Sequence, residues 1–101
     1  MASGSASFAY HGTLSANTVD VVTLTKGTAF AEVYNRAAAG GADLYVTTGT
    51  NAANPTVGGN DCYIITPQTS DTIPTLRIQG NESNVVRVIS SGANAYSVIS
   101  R

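Results

Sequence analysis

The feature that most constrains the fold is a series of short extended runs, each closed by residues that favour turns. The runs are rich in β-branched and aromatic residues, which suit a pleated and half-buried surface. The predicted strands are residues 18–25, 30–36, 43–48, 62–66, 75–79, 84–90 and 95–100. No stretch long enough for a stable helix repeats its apolar residues with the helical period of about 3.6 residues. The sequence therefore predicts an all-β fold, a single antiparallel β-sandwich of immunoglobulin-like or jelly-roll-like type with about seven or eight short strands.

Two pairs of these runs are predicted to form β-hairpins. The first pair spans residues 30–48, and Gly40 and Gly41 between its runs supply the positive φ angle that a compact loop needs. The second pair, residues 84–90 and 95–100, is joined by a turn at residues 91–94. Since side chains alternate along a strand, the first pair is expected to place three aliphatic residues in the core: Val33, Leu44 and Val46.

The opposite face of the first pair carries side chains that are expected to point outward: Glu32, Tyr34, Arg36 and Tyr45. Charged and aromatic side chains on neighbouring strands can pair with each other. In a chain with few charges, this face is a candidate partner-binding surface. Tyr34 and Tyr45 together would also offer aromatic faces to a sugar ring. The alternatives are that this face is buried against another subunit or only supports the sheet.

Residues 1–12 are predicted to form a flexible N-terminal arm, and residues 13–101 to form the β-sandwich domain. Residues 1–7 are small and polar and cannot bury enough area to fold alone. Phe8 and Tyr10 follow, and their spacing of two points both rings the same way from an extended segment. The rings could anchor the arm on its own domain or on a neighbouring subunit, and we predict both as contact residues.

The composition argues against several classes of function. Asp, Glu, Lys and Arg make up 11% of the 101 residues, against about 25% in typical soluble domains. Nucleic-acid binding needs clustered Lys and Arg, but the basic residues here are scattered, so no nucleic-acid partner is expected. No apolar run approaches the ~20 residues of a membrane-spanning helix, and no signal peptide is recognisable, so no membrane partner is expected. A surface built mainly of Thr, Ser, Asn and Gly costs little to desolvate, which favours a subunit that packs against others, or an extracellular or virion protein. A β-protein that is simply rich in threonine would show the same composition.

Residues suited to catalysis or metal binding are sparse. The chain has one histidine, His11, and one cysteine, Cys62, which are too few for a structural zinc site. His11 lies beside the predicted arm, where a catalytic base would not be held in place. Cys62 begins an aliphatic strand, as inert buried thiols do, and Asp61 fits a turn better than a calcium site. We therefore expect a protein that is not an enzyme and that uses no cofactor or metal.

Five segments carry a resemblance to a known family: HGTLSANTVDVVTL, EVYNR, DLYVTT, NPTVGGNDCYII and VVRVISSGANAYSV. Their succession resembles that of small β-sandwich virion proteins of tailed bacteriophages, over roughly residues 12–100. The marks of the resemblance are a strand that ends in Asn35-Arg36, the loop at residues 55–59 and the turn at residues 91–93. Some members of this family are capsid decoration, or cement, proteins.

The resemblance implies a structural protein at the capsid surface of a virion. The expected partners are the major capsid protein and other copies of the same chain, in a homotrimer or another symmetric oligomer. The expected role is to bind the outside of the head and stabilise it. The alternative function is a carbohydrate- or host-surface-binding module of the phage head or tail.

Overall fold

The computed structural model describes residues 2–25, 30–48, 53–74 and 85–100. All the secondary-structure elements in these ranges are β-strands. The strands are β1 (Ala2–Ala6), β2 (Ala9–Thr13), β3 (Asp20–Leu24), β4 (Phe30–Asn35), β5 (Leu44–Thr48), β6 (Tyr63–Ile65), β7 (Ser70–Pro74), β8 (Val85–Ser90) and β9 (Ala95–Ser100). The predicted all-β fold is confirmed. The strand predicted at residues 75–79 lies outside the described residues.

The described strands form two sheets that pack face to face as a β-sandwich. The five-stranded sheet has the order β1-β3-β8-β5-β6, and the four-stranded sheet has the order β2-β9-β4-β7. The described strand pairs are antiparallel except for β1 and β3, which run parallel from Ala2↔Asp20 to Ala6↔Leu24. Along the chain the strands change sheet at each described step except between β5 and β6, so sequence neighbours mostly face each other across the core.

The core lies between the sheets and is made of the inward side chains of both. Val33 on β4, with Leu44 and Val46 on β5, has no exposed surface, which confirms their predicted place in the core. Burial alternates along β3, β4 and β5 because successive side chains of a strand point to opposite faces. Fully burying one such aliphatic side chain stabilises the fold by about 1.5 to 3 kcal/mol.

The two predicted hairpins are wrong. β4 belongs to the four-stranded sheet and β5 to the five-stranded sheet, and β8 and β9 are divided in the same way. Alternating apolar residues mark the face that a strand buries, but they do not identify the strand beside it. Two strands on opposite sides of one core therefore show the same pattern as two hairpin partners. Gly40 does have the predicted positive φ angle, 84°, in a connection that crosses between the sheets.

The N-terminal residues belong to both sheets, whereas the sequence predicts a flexible arm at residues 1–12. β1 forms an edge of the five-stranded sheet, and β2 pairs with β9 from Ala9↔Ile99 to Thr13↔Ala95. Backbone N–H and C=O groups form sheet hydrogen bonds whatever the side chains are. A segment of Ala, Ser and Gly can therefore complete a sheet edge, and its composition alone is a poor guide to its structure.

Residues 70–74 form β7, which lies at the edge of the four-stranded sheet among the described strands although the segment is polar. β7 pairs with β4 from Phe30↔Pro74 to Tyr34↔Ser70. Only Ile73 of its side chains is buried. An edge strand leaves most of its side chains in solvent, so a polar sequence is compatible with it. Pro74 is the last described residue of β7, and an edge strand tolerates a residue without a backbone N–H.

Candidate functional site

Both phenylalanines of the chain lie exposed at one end of the four-stranded sheet. Phe8 precedes β2 and is 62% exposed, and Phe30 begins β4 and is 44% exposed. The Ser100 N–H donates to the Phe8 carbonyl (2.7 Å), and Ala31 is the register partner of Ser100. β9 separates β2 from β4, so the two backbones lie about 10 Å apart at the usual strand spacing. We call Phe8, Phe30 and the exposed Pro74 opposite Phe30 the phenylalanine end.

Tyr10 packs against the core, unlike Phe8. Its ring centroid lies 6.2 Å from that of the buried Tyr96, with 42° between the ring planes. Gly4 of β1 also lies against the Tyr10 ring, so closely that an added Cβ would overlap it. Of the two aromatic residues predicted as contacts, Phe8 remains open to a partner and Tyr10 supports the sandwich.

Tyr34 and Tyr45 lie on opposite outer faces of the sandwich. Tyr34 is on β4 of the four-stranded sheet and Tyr45 is on β5 of the five-stranded sheet, with the core between them. In the five-stranded sheet, the register partners of Tyr45 are Ile64 on β6 and Ile89 on β8. The predicted patch that combines both tyrosines is therefore wrong, and one sugar ring cannot contact both.

Glu32 and Arg36 remain on the β4 side of the molecule together with Tyr34. Oε2 of Glu32 accepts a hydrogen bond from the Ser70 hydroxyl (3.3 Å), which ties β4 to β7. Arg36 directly follows β4 and is exposed. Its backbone N–H donates to the Ala95 carbonyl (2.9 Å). Three of the four residues of the predicted patch thus belong to one face, and Tyr45 is separated from them.

His11 and Ser97 form a cross-strand pair on the outer face of the four-stranded sheet. They are register partners on β2 and β9, and Nδ1 of His11 lies 2.7 Å from Oγ of Ser97. Ser97 is only 3% exposed, so its hydroxyl is closed to a substrate. We interpret the pair as a hydrogen bond that joins β2 to β9.

A pocket of about 370 Å³ opens where β5, the loop of residues 53–62 and β6 meet. Its described lining residues include Asn54, Asn60, Asp61 and Tyr63, together with threonines of β5 and the loop. Tyr63 is 39% exposed. Pockets that bind small molecules measure about 300 to 1,000 Å³, so this one has room for a small ligand.

The loop beside this pocket is held by hydrogen bonds of its own. The Thr47 hydroxyl donates to the Ala53 carbonyl (2.9 Å), and the Gly59 N–H donates to the Thr56 carbonyl (2.9 Å). Asp61 has a φ angle of 59°, in the left-handed region that Asp and Asn adopt more readily than most residues. These contacts order the wall of the pocket before any ligand is bound.

The Cys62 thiol is half-buried beside the same loop. It donates to the Gly59 carbonyl at 3.5 Å. Burial, and then the neighbouring carboxylate of Asp61, raises the pKa of the Cys62 thiol. A raised pKa leaves little thiolate at neutral pH, and the thiolate is the reactive form. This agrees with the expected inert thiol.

No sequence pattern predicts this pocket, because its residues come from three separate segments. Asn54, Asn60 and Asp61 look like turn residues when they are read alone, and Tyr63 looks like part of a strand. The only signal is a loop rich in asparagine and threonine that leads directly into a tyrosine. The sequence likewise predicts only the strand face of Phe30, whereas its place at the same end of the sheet as Phe8 follows from the sheet order.

The described ranges contain no cluster of three or more His, Cys, Asp or Glu side chains that could hold a metal ion. Within the same ranges, no helix is long and apolar enough to cross a membrane. Comparisons of the chain with protein-family models, with curated proteins and with solved structures give no match.

Proposed function

We propose that this protein is a non-enzymatic structural protein of a bacteriophage virion, which decorates the outer surface of the capsid and stabilises it. The observation that carries the proposal is the phenylalanine end, where Phe8 and Phe30 expose aromatic rings at the same end of one sheet. The resemblance of the sequence to phage decoration proteins supports the capsid as the partner.

The surface chemistry of the chain supports docking through this end. Aromatic rings contribute large apolar contact areas to interfaces, and each square ångström removed from water contributes about 25 cal/mol. The chain has 11% charged residues, so few ammonium or carboxylate groups have to be desolvated around the rings. The phenylalanine end is thus suited to burial against the major capsid protein.

Stabilisation of the capsid follows from binding to the assembled shell. A ligand that binds the assembled form and not the opened form shifts the equilibrium toward assembly by mass action. A trimer or another symmetric oligomer around a local axis presents several phenylalanine ends at once, which raises the effective affinity. The β4 face with Glu32, Tyr34 and Arg36 offers the surface for contacts between copies.

The first test is the amount of the chain in purified virions of the phage that encodes it. Quantitative mass spectrometry against the major capsid protein gives the copy number per particle. A decoration protein is expected in a fixed stoichiometric ratio to the capsid protein. Virions that lack the chain would refute the proposal, and a few copies per particle would place the chain in the neck or tail.

The second test separates the phenylalanine end from other exposed apolar residues. Phe8→Ser and Phe30→Ser are expected to leave a folded protein that no longer binds capsids stripped of it. Ile64→Ser is the matched control, because Ile64 is 54% exposed on β6, in the other sheet. Full occupancy of the Phe8→Ser/Phe30→Ser double variant on capsids would show that the protein docks elsewhere.

A further inference from the structure

The pocket beside Tyr63 combines an aromatic ring with a carboxylate and two amides, and we propose that it binds one residue of a neutral saccharide. The site is separate from the phenylalanine end and does not depend on the virion proposal. It is also distinct from the Tyr34 and Tyr45 surface, whose residues lie on opposite faces.

The polar groups of the pocket match the chemistry of sugar hydroxyls, which both donate and accept hydrogen bonds. Within the part of the chain that the structure describes, the side chains of Asn60 and Asp61 make no hydrogen bond. A carboxylate accepts several hydrogen bonds, and an amide both donates and accepts. Oδ1 of Asn54 already accepts from Nε of Arg87 (3.1 Å), which orients the Asn54 amide and leaves its NH₂ group as a donor.

Tyr63 supplies the apolar part of the site. A sugar ring presents C–H groups on one face, and the electron-rich face of an aromatic ring attracts their partial positive charge. Among the described lining residues Tyr63 is the one aromatic residue, and it is partly exposed. A ligand that stacks on this ring keeps its hydroxyls at the rim, within reach of the polar side chains.

The size and charge of the pocket further restrict the class of ligand that it can bind. A volume of about 370 Å³ lies at the small end of the range for ligand pockets, about 300 to 1,000 Å³, which suits a single sugar residue. Among the described residues that line the pocket there is no Lys, Arg or His, and the Arg87 guanidinium beside it uses its Nε to donate to Oδ1 of Asn54. The Asp61 carboxylate repels an anionic sugar. A neutral sugar residue is therefore the ligand that fits.

The test is an NMR titration of the full chain labelled with ¹⁵N. Glucose, galactose, mannose and N-acetylglucosamine are added separately at millimolar concentrations, in buffer that contains EDTA. At least one sugar is expected to shift the amide resonances of Asn60, Asp61 and Tyr63, and to leave those of β2 and β9 unchanged. If none of the four sugars shifts the pocket resonances, the proposal is wrong.

Variants of the pocket test whether the named groups bind the sugar. Tyr63→Ala is expected to weaken binding by about tenfold or more, equivalent to about 1.4 kcal/mol, while Tyr63→Phe keeps the ring and retains binding. Asp61→Asn removes the charge in a residue type that tolerates the left-handed backbone, and it is expected to weaken binding severalfold. Tyr34→Ala is the matched control on the far sheet. Unchanged affinity in Tyr63→Ala would overturn the assignment.

A separate titration with calcium chloride, without EDTA, distinguishes a cation site from a sugar site. Calcium is expected to leave the pocket resonances unshifted, since a calcium ion takes six to eight oxygen ligands and the described lining residues include one carboxylate, that of Asp61. The contrary result is a saturable shift of the Asp61 resonance by calcium, at concentrations lower than those at which any sugar shifts it. That result would assign the pocket to a cation and overturn the proposal.

Discussion

The hydroxyl of Tyr96 donates a hydrogen bond of 2.9 Å to Oδ2 of Asp20 across the space between the two sheets. Tyr96 on β9 has no exposed surface, and Asp20 on β3 is 6% exposed. Gly12 makes room for this contact, because a Cβ at this position would lie 2.9 Å from the Tyr96 hydroxyl oxygen. A polar group buried this far from water is stable only with a hydrogen-bond partner, so the pair fixes how the sheets face each other.

Tyr96→Phe is expected to lower the free energy of unfolding by about 1 to 3 kcal/mol, because it leaves the Asp20 carboxylate buried without this partner. Urea denaturation monitored by circular dichroism measures the change. Tyr34→Phe removes a hydroxyl from the outer face of the sandwich and serves as the control, with an expected change near zero. A Tyr96→Phe protein as stable as the parent would contradict the structural role of the hydrogen bond.

Alkaline pH should destabilise the protein through the same tyrosine. Burial, followed by the hydrogen bond to Asp20, raises the pKa of Tyr96 well above its ordinary value. In the unfolded chain the tyrosine pKa is about 10, so unfolding releases the Tyr96 proton above that pH. The stabilisation is fully present below pH 10 and decreases as the pH rises further. Urea midpoints should therefore fall above a pH of about 10, and fall less steeply in Tyr96→Phe. Equal slopes in both proteins would rule out Tyr96 as the cause.

Asn35 should be the most sensitive polar position of the described core. Its Nδ2 donates to the carbonyls of Ala42 (3.0 Å) and Ile65 (2.9 Å), and its Oδ1 accepts from the Ala37 N–H (3.0 Å). Asn35→Leu keeps a similar volume but removes all three bonds, so we expect a loss of about 2 kcal/mol or more. Thermal unfolding measures the loss, with the exposed Ser91→Ala as the control. A variant with the same midpoint as Ser91→Ala would show that water replaces the amide.

The strand positions and the inward residues could be predicted from the sequence, but the sheet partners could not. A period of two identifies a buried face, and Val33, Leu44 and Val46 were found in this way. Which strands share a sheet depends on the path of each connection. Residues 36–43 connect β4 of one sheet to β5 of the other, and nothing in their composition distinguishes such a crossing between sheets from a hairpin loop. The separation of Tyr34 from Tyr45 follows directly from that crossing.

The sequence predicts that Phe8 and Tyr10 point the same way, but only Tyr10 packs against the core, whereas Phe8 is exposed. Side chains alternate in direction only within a strand. The register of β2 begins at Ala9, so Phe8 lies before the strand and the alternation does not apply to it. Tyr10 is partly buried because β1 lies against its ring, with Gly4 at the point of contact. The contact depends on the parallel pairing of β1 with β3. The Ala, Ser and Gly residues of β1 have low strand propensity, so the sequence does not indicate this pairing.

The place of β1 in the sheet gives a last prediction, which separates an ordered strand from a flexible arm. Gly4 pairs with Val22 and lies against the Tyr10 ring, whereas the exposed Ser5 pairs with Thr23. Gly4→Val is expected to push β1 off the ring and to cost about 1 to 3 kcal/mol, as overpacking does. Ser5→Val is the matched control with the same added side chain on the open face. Hydrogen exchange of the β1 amides should become faster in Gly4→Val only. Equal and fast exchange in the parent and both variants would mean that residues 2–6 act as a mobile arm.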